Sequence, residues 1–169
     1  MSQTSTSSLA QNSPRTARAI LLGGLIVGTL DITDAIVFFG ITRNVRPYRI
    51  FQSVASGLLG RASYSGGMKT VVLGAFLHYF IAFSVATTYI LASKKFPGLR
   101  KHWVVCGLLY GVLVYCFMYR VVLPLSLSAP VVFSWLGFSN AVLIHMLGIG
   151  LPCAWVAQME LGKQESQRT

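Results

Sequence analysis

The sequence predicts an all-α, polytopic membrane protein: four transmembrane helices plus a short amphipathic interfacial helix in the first loop. Three observations carry this. Of 169 residues, 54% are hydrophobic and only 11% charged, too apolar for an ordinary soluble domain. The apolar residues gather in four runs, each near the roughly 20 residues that a helix needs to cross a bilayer core. The basic residues behind the net charge of +10 lie almost wholly between those runs, where Lys and Arg anchor loops beside anionic lipid. That placement argues against a nucleic-acid partner, which would require a soluble basic patch. The expected partner is the lipid bilayer.

Residues 1–16 are rich in Ser, Thr, Gln and Asn with little to bury, and read as a disordered polar tail. Arg15 and Arg18 introduce the first apolar run. This start has the look of a signal-peptide n-region, but the run continues past Asp34 to Ile41 without a small-residue cleavage site, so a retained helix over about 17–41 is expected. The next connection is the most polar, with Arg43, Arg46 and Arg49 at the mouth of the bundle. Pro47 suits a first helical position and Gly60 a C-terminal stop. Between them Ile50, Phe51, Val54 and Leu58 share one face, with Arg49, Gln52, Ser53 and Ser56 on the other, as in an interfacial helix over about 47–60. Ser65, Gly66 and Gly67 make a turn.

The second span covers about 68–92, and a basic loop from Lys94 to Lys101 follows it. The third covers about 102–123. Residues 124–138 are uncharged and broken by Pro124 and Pro130, and Trp135 points to an interfacial or re-entrant placement. The fourth span covers about 139–159, and 160–169 form a polar C-tail. Cys106, Cys116 and Cys153 all fall inside apolar runs without metal-type spacing and read as small buried hydrophobes. Four spans place both termini on one side. That side carries eight Lys and Arg against five or six on the other, which favours cytoplasmic termini.

Five ionisable residues, Asp31, Asp34, His78, His145 and Arg120, fall in the half of the bundle that faces the 42–69 loop. At about 1.5 Å per residue, the acids and histidines lie roughly 9 to 15 Å deep, with Arg120 nearer the rim. Charged groups inside spans are costly and mark functional sites. Small residues share their faces: Gly24, Gly28, Asp31 and Ala35; Gly74, His78, Ala82 and Ala86; Ala141, His145, Gly148 and Pro152. Such stripes let membrane helices approach closely, so Asp31, His78 and His145 should point into the bundle. Gly107 and Gly111 mark the third helix, and Arg120 lies about 180° from Gly111 at helical periodicity, where it can snorkel.

Three readings of this pocket remain open. Asp–His hydrogen bonds could hold the helices together and nothing more. The same groups could form a path or sensor for protons or a small solute, since histidine titrates near neutrality. Asp31, Asp34, His78 and His145 are also ligand types for a divalent metal, although no spacing enforces a metal geometry. The chain carries no nucleophile elbow, phosphate-cradling loop or cofactor fingerprint, so no cofactor is expected and catalysis has little support. The first and third spans open with Gly-x-x-x-Gly and the second and fourth share an apolar-apolar-His step, a faint parallel repeat. Four spans are few for a transporter, so a conducting form would be a homodimer.

The segments GGLIVGTLDI (23–32), QSVASGLLG (52–60), SGG (65–67), LHYFIAF (77–83) and LPLS (123–126) resemble a group of small bacterial membrane proteins that carry no assigned activity. The second half, with FPGLRKHWVVCGLLYG (96–111), the LPL step and a final His-containing span, is more loosely similar to YagU-type inner-membrane proteins. The resemblance implies a bacterial inner-membrane location and a four-helix layout.

Overall fold

The computed structural model describes the backbone of residues 4–162 and the side chains of residues 14–162. Among these, every regular element is helical. Helix α1 runs from Thr4 to Arg43 and its apolar span from Pro14 to Arg43. Then come α2 (Pro47–Leu59), α3 (Gly67–Lys95), α4 (Trp103–Leu125) and α5 (Trp135–Leu161). The four helices other than α2 are long and apolar enough to cross a membrane. The chain is thus built as a multi-pass membrane protein. The helical backbone of α1 starts earlier than the expected tail boundary; once a helix is nucleated, each further residue adds a hydrogen bond at little cost. Residues 1–3 of that tail, and 163–169 at the other end, lie outside the described residues.

Helix α5 is the hub of the bundle, touching α1, α3 and α4. The glycine stripes are the seams. A methyl group on Gly28 would strike Tyr79 and Ala82 of α3, and one on Gly107 would meet Ala154 and the Gly150 carbonyl of α5. Gly74, His78, Ala82 and Ala86 are all buried, as their shared stripe predicts. Dense packing fills one half of the bundle. Ala19, Ala86, Ile90, Cys153, Ala154, Val156 and Ala157 form its centre. They come from the start of α1 and the far ends of α3 and α5. The same end is tied by Lys94 to Thr16 (3.1 Å), by Tyr89 to the Leu99 carbonyl (3.1 Å) and by Arg18 to Glu160 (3.5 Å).

The opposite half is looser and holds a cavity. Pro124 and Pro152 sit within helical runs, where each lacks an N–H for the ladder and its ring crowds the preceding turn. Just ahead of each, the helix widens to a π-turn, at Met118–Val122 and His145–Gly150. Such turns relieve the clash and recur at functional sites. The third helix therefore continues through Pro124 to Leu125, past the expected end at 123. The fourth starts at Trp135, ahead of the expected 139, because the Ser134 side chain caps it by accepting from Gly137 N–H at 3.1 Å.

Helix α2 also departs from expectation. It is amphipathic, but its polar residues Gln52 and Ser56 are buried and Leu58 is 59% exposed. The cause is the start of α3. Gln52 donates to the Gly67 carbonyl (3.3 Å) and to Thr70 Oγ1 (3.2 Å), so its side chain gains partners by turning inward. A methyl group on Gly74 would collide with the Phe51 carbonyl, so α2 lies with its backbone against α3. Gly60 (φ 57°) and Gly67 (φ 60°) make the sharp exits around the intervening 3-10 turn, Gly60–Ser65.

Candidate functional site

The loose half of the bundle holds a partly open cavity of about 360 Å³. Asp31 of α1, His78 of α3 and His145 of α5 line it, amid a wall of Val27, Leu77, Ile81, Val85, Val114, Met118, Val122 and Ile149. Ser53 and Gly57 of α2, with Ser126 and Ser128 of the loop between α4 and α5, line it on the α2 side. Two bonds hold these segments together: Leu127 N–H to the Gly57 carbonyl (3.0 Å) and Ser56 to Ser128 between hydroxyls (3.2 Å).

Both histidines are oriented by backbone carbonyls. His78 Nε2 lies 2.7 Å from the Gly28 carbonyl across the α1–α3 seam. A carbonyl only accepts, so Nε2 carries the proton and a neutral ring leaves Nδ1 as an acceptor. That Nδ1 lies 3.9 Å from Asp31 Oδ2, beyond hydrogen-bond length. His145 Nδ1 lies 2.7 Å from the Ala141 carbonyl one turn earlier. The same logic makes Nε2 the acceptor of the neutral His145 ring. The rings of Tyr115 and Tyr119 stand 5.6 and 6.4 Å from the His145 ring.

Asp31 is the unusual member. Its side chain is 30% exposed, and among the described residues no donor hydrogen-bonds its carboxylate. Asp34 differs. It accepts from Asn140 Nδ2 at 2.8 Å and does not line the cavity. Of the five ionisable residues expected in one pocket, the cavity unites Asp31, His78 and His145. Arg120 is exposed and lies outside the lining, in keeping with its position opposite Gly111.

Arg43, Arg46 and Arg49 are also outside the lining. Arg43 covers the Phe39 ring at 5.4 Å. Arg49 binds Gln52 Oε1 (3.1 Å) and the Tyr64 carbonyl (2.8 Å), tying α2 to the turn behind it. Arg46 hydrogen-bonds the Tyr48 hydroxyl and thereby holds that phenol below its ordinary pKa range. These arginines brace the loop; they do not point into the cavity. Among the described residues, no three His, Cys, Asp or Glu side chains form a group that could hold a metal ion. Asp31, Asp34, His78 and His145 are thus not brought together as a metal set among the described residues.

Sequence reasoning missed Asn140 and the serines 53, 126 and 128. The signal for the serines was weak but present: QSVAS and LSLS place small hydroxyls in apolar surroundings. Asn140, alone in an apolar stretch, was the better clue, because an amide inside a membrane helix seeks a polar partner. No known protein family, curated protein or solved structure matches the chain.

Proposed function

We propose that this membrane protein moves or senses protons or a small solute through the cavity around Asp31, His78 and His145. One observation carries the reading: the Asp31 carboxylate, in the interior of a membrane helix, faces a cavity and has no hydrogen-bond donor among the described residues. A charged residue at mid-membrane costs about 2.5–3.5 kcal/mol on insertion scales. An acid held only for structure would be expected to recover that cost through hydrogen bonds, as Asp34 does with Asn140. Asp31 does not. Its carboxylate is available to a proton, water or solute entering between the helices.

A structural role competes most strongly at His78, whose bond to the Gly28 carbonyl joins α1 to α3. Hydrogen bonds between membrane helices average about 0.6 kcal/mol and reach about 1.7. A bond of that size supports the seam but gives no reason for Asp31. The resemblance to small bacterial membrane proteins supports a placement in the inner membrane, and the excess of Lys and Arg on the side of the termini supports cytoplasmic termini. A homodimer remains the form in which so few spans would conduct.

The test is flux. In reconstituted vesicles carrying a pH gradient, wild-type protein should dissipate the gradient or show a pH-dependent response. Asp31→Asn should abolish it while eluting and melting as a folded protein. A folded Asp31→Asn variant with wild-type flux overturns the proposal and leaves the structural role.

A further inference from the structure

The cavity's polar atoms say more than that something polar enters. In the ring tautomers that the Gly28 and Ala141 carbonyls select, the other nitrogen of each histidine, His78 Nδ1 and His145 Nε2, is an acceptor, and it joins the Asp31 carboxylate among the polar groups of the cavity lining. Two acceptors cannot bond each other, but with His78 Nδ1 and Asp31 Oδ2 3.9 Å apart a single donor nitrogen can sit about 2.8 Å from both. The lining holds one carboxylate and neither Lys nor Arg, so an anion finds no counter-charge. At about 360 Å³, the space lies at the lower end of pockets that hold small organic molecules, roughly 300–1,000 Å³. A bare ion would leave most of it unfilled. The remaining wall is aliphatic, with Val27, Ile81, Val85 and Val114 among its members, and matches a hydrocarbon body.

Resting on the solute reading above, we propose that the site binds a protonated primary amine with a short aliphatic tail. The ammonium donates to Asp31 and His78, with His145 as a further acceptor, and the tail lies along the aliphatic wall. Proton and amine then compete for the same acceptors. The serines on the α2 side supply hydroxyls at the cavity's edge.

The test uses the full-length protein in detergent at neutral pH and follows binding by calorimetry with four probes of similar size: butylammonium, 1-butanol, butyrate and tetramethylammonium. Butylammonium should bind, with the other three weaker by about tenfold or more, the range expected when charge-assisted hydrogen bonds are lost. Asp31→Asn should weaken butylammonium by about tenfold or more, and Asp34→Asn should leave it unchanged. Equal binding of 1-butanol, butyrate or tetramethylammonium, or no binding of butylammonium, overturns the proposal. The wild-type probe series decides the matter even if Asp31→Asn fails to fold. Amine binding without flux in vesicles would support this site and defeat the transport reading. Proton flux without amine binding would do the reverse.

Discussion

Asp31 and Asp34 sit three positions apart on one helix, and their surroundings divide them. Asp34 is bonded to Asn140, while Asp31 opens into a cavity with His78 Nδ1 3.9 Å away. The histidines are likewise distinguished by which nitrogen meets a carbonyl. Nitrogen chemical shifts should therefore report the Nε2-protonated tautomer for His78 and the Nδ1-protonated tautomer for His145 near neutral pH. Matching tautomers for the two rings would contradict this account of the site. At this scale the sequence was partly legible. The small-residue stripes placed Asp31, His78 and His145 inward because a close seam dictates which face is buried. They put Asp31 and not Asp34 on the seam, but they could not show that Asp34 has a partner of its own, since that depends on where α5 places Asn140. Nor could they show that Gln52 turns inward, a consequence of the backbone groups offered by the start of α3.

Among the elements, the seams with backbone contact should tolerate least. A methyl group on Gly111 would meet the backbone of His145 and Met146, whereas one on Gly98 would meet nothing. Gly111→Ala should destabilise the folded protein in detergent by about 1–3 kcal/mol, visible as a lower melting temperature, and Gly98→Ala should be nearly silent. Equal effects would show that the α4–α5 seam is looser than described. The joint between α2 and the loop before α5 is testable too. The Ser56 and Ser128 hydroxyls are 3.2 Å apart, so cysteines at both positions should form a disulfide under mild oxidation, read as a mass loss of two hydrogens. Failure to crosslink would detach that loop from the cavity. The four spans were readable from apolar run length alone, because helix length and bilayer thickness are matched physically. Their ends were not, because the Ser134 cap and the π-turns before Pro124 and Pro152 depend on local backbone hydrogen bonding.

For the molecule as a whole, dense packing near the 94–101 loop and a cavity at the α2 end give the bundle two unlike halves. The sequence located the polar half through depth counting, but the cavity itself arises from how four helices and α2 diverge. Charge bias sets the expected orientation. In a background with Cys106 and Cys116 replaced by Ala, Gly98→Cys should be labelled by an impermeant thiol reagent from the cytoplasmic face only, and Ser65→Cys from the opposite face only. The reverse pattern would invert the topology. The central claim is that the carboxylate in the cavity acts on what passes, while its neighbour on the same helix supports structure. Flux through reconstituted vesicles, measured side by side for wild type, Asp31→Asn and Asp34→Asn at matched folded protein, tests it most directly. The account predicts that Asp31→Asn falls to the level of protein-free vesicles while Asp34→Asn retains flux. Equal retention by both, or loss in Asp34→Asn alone, would contradict it.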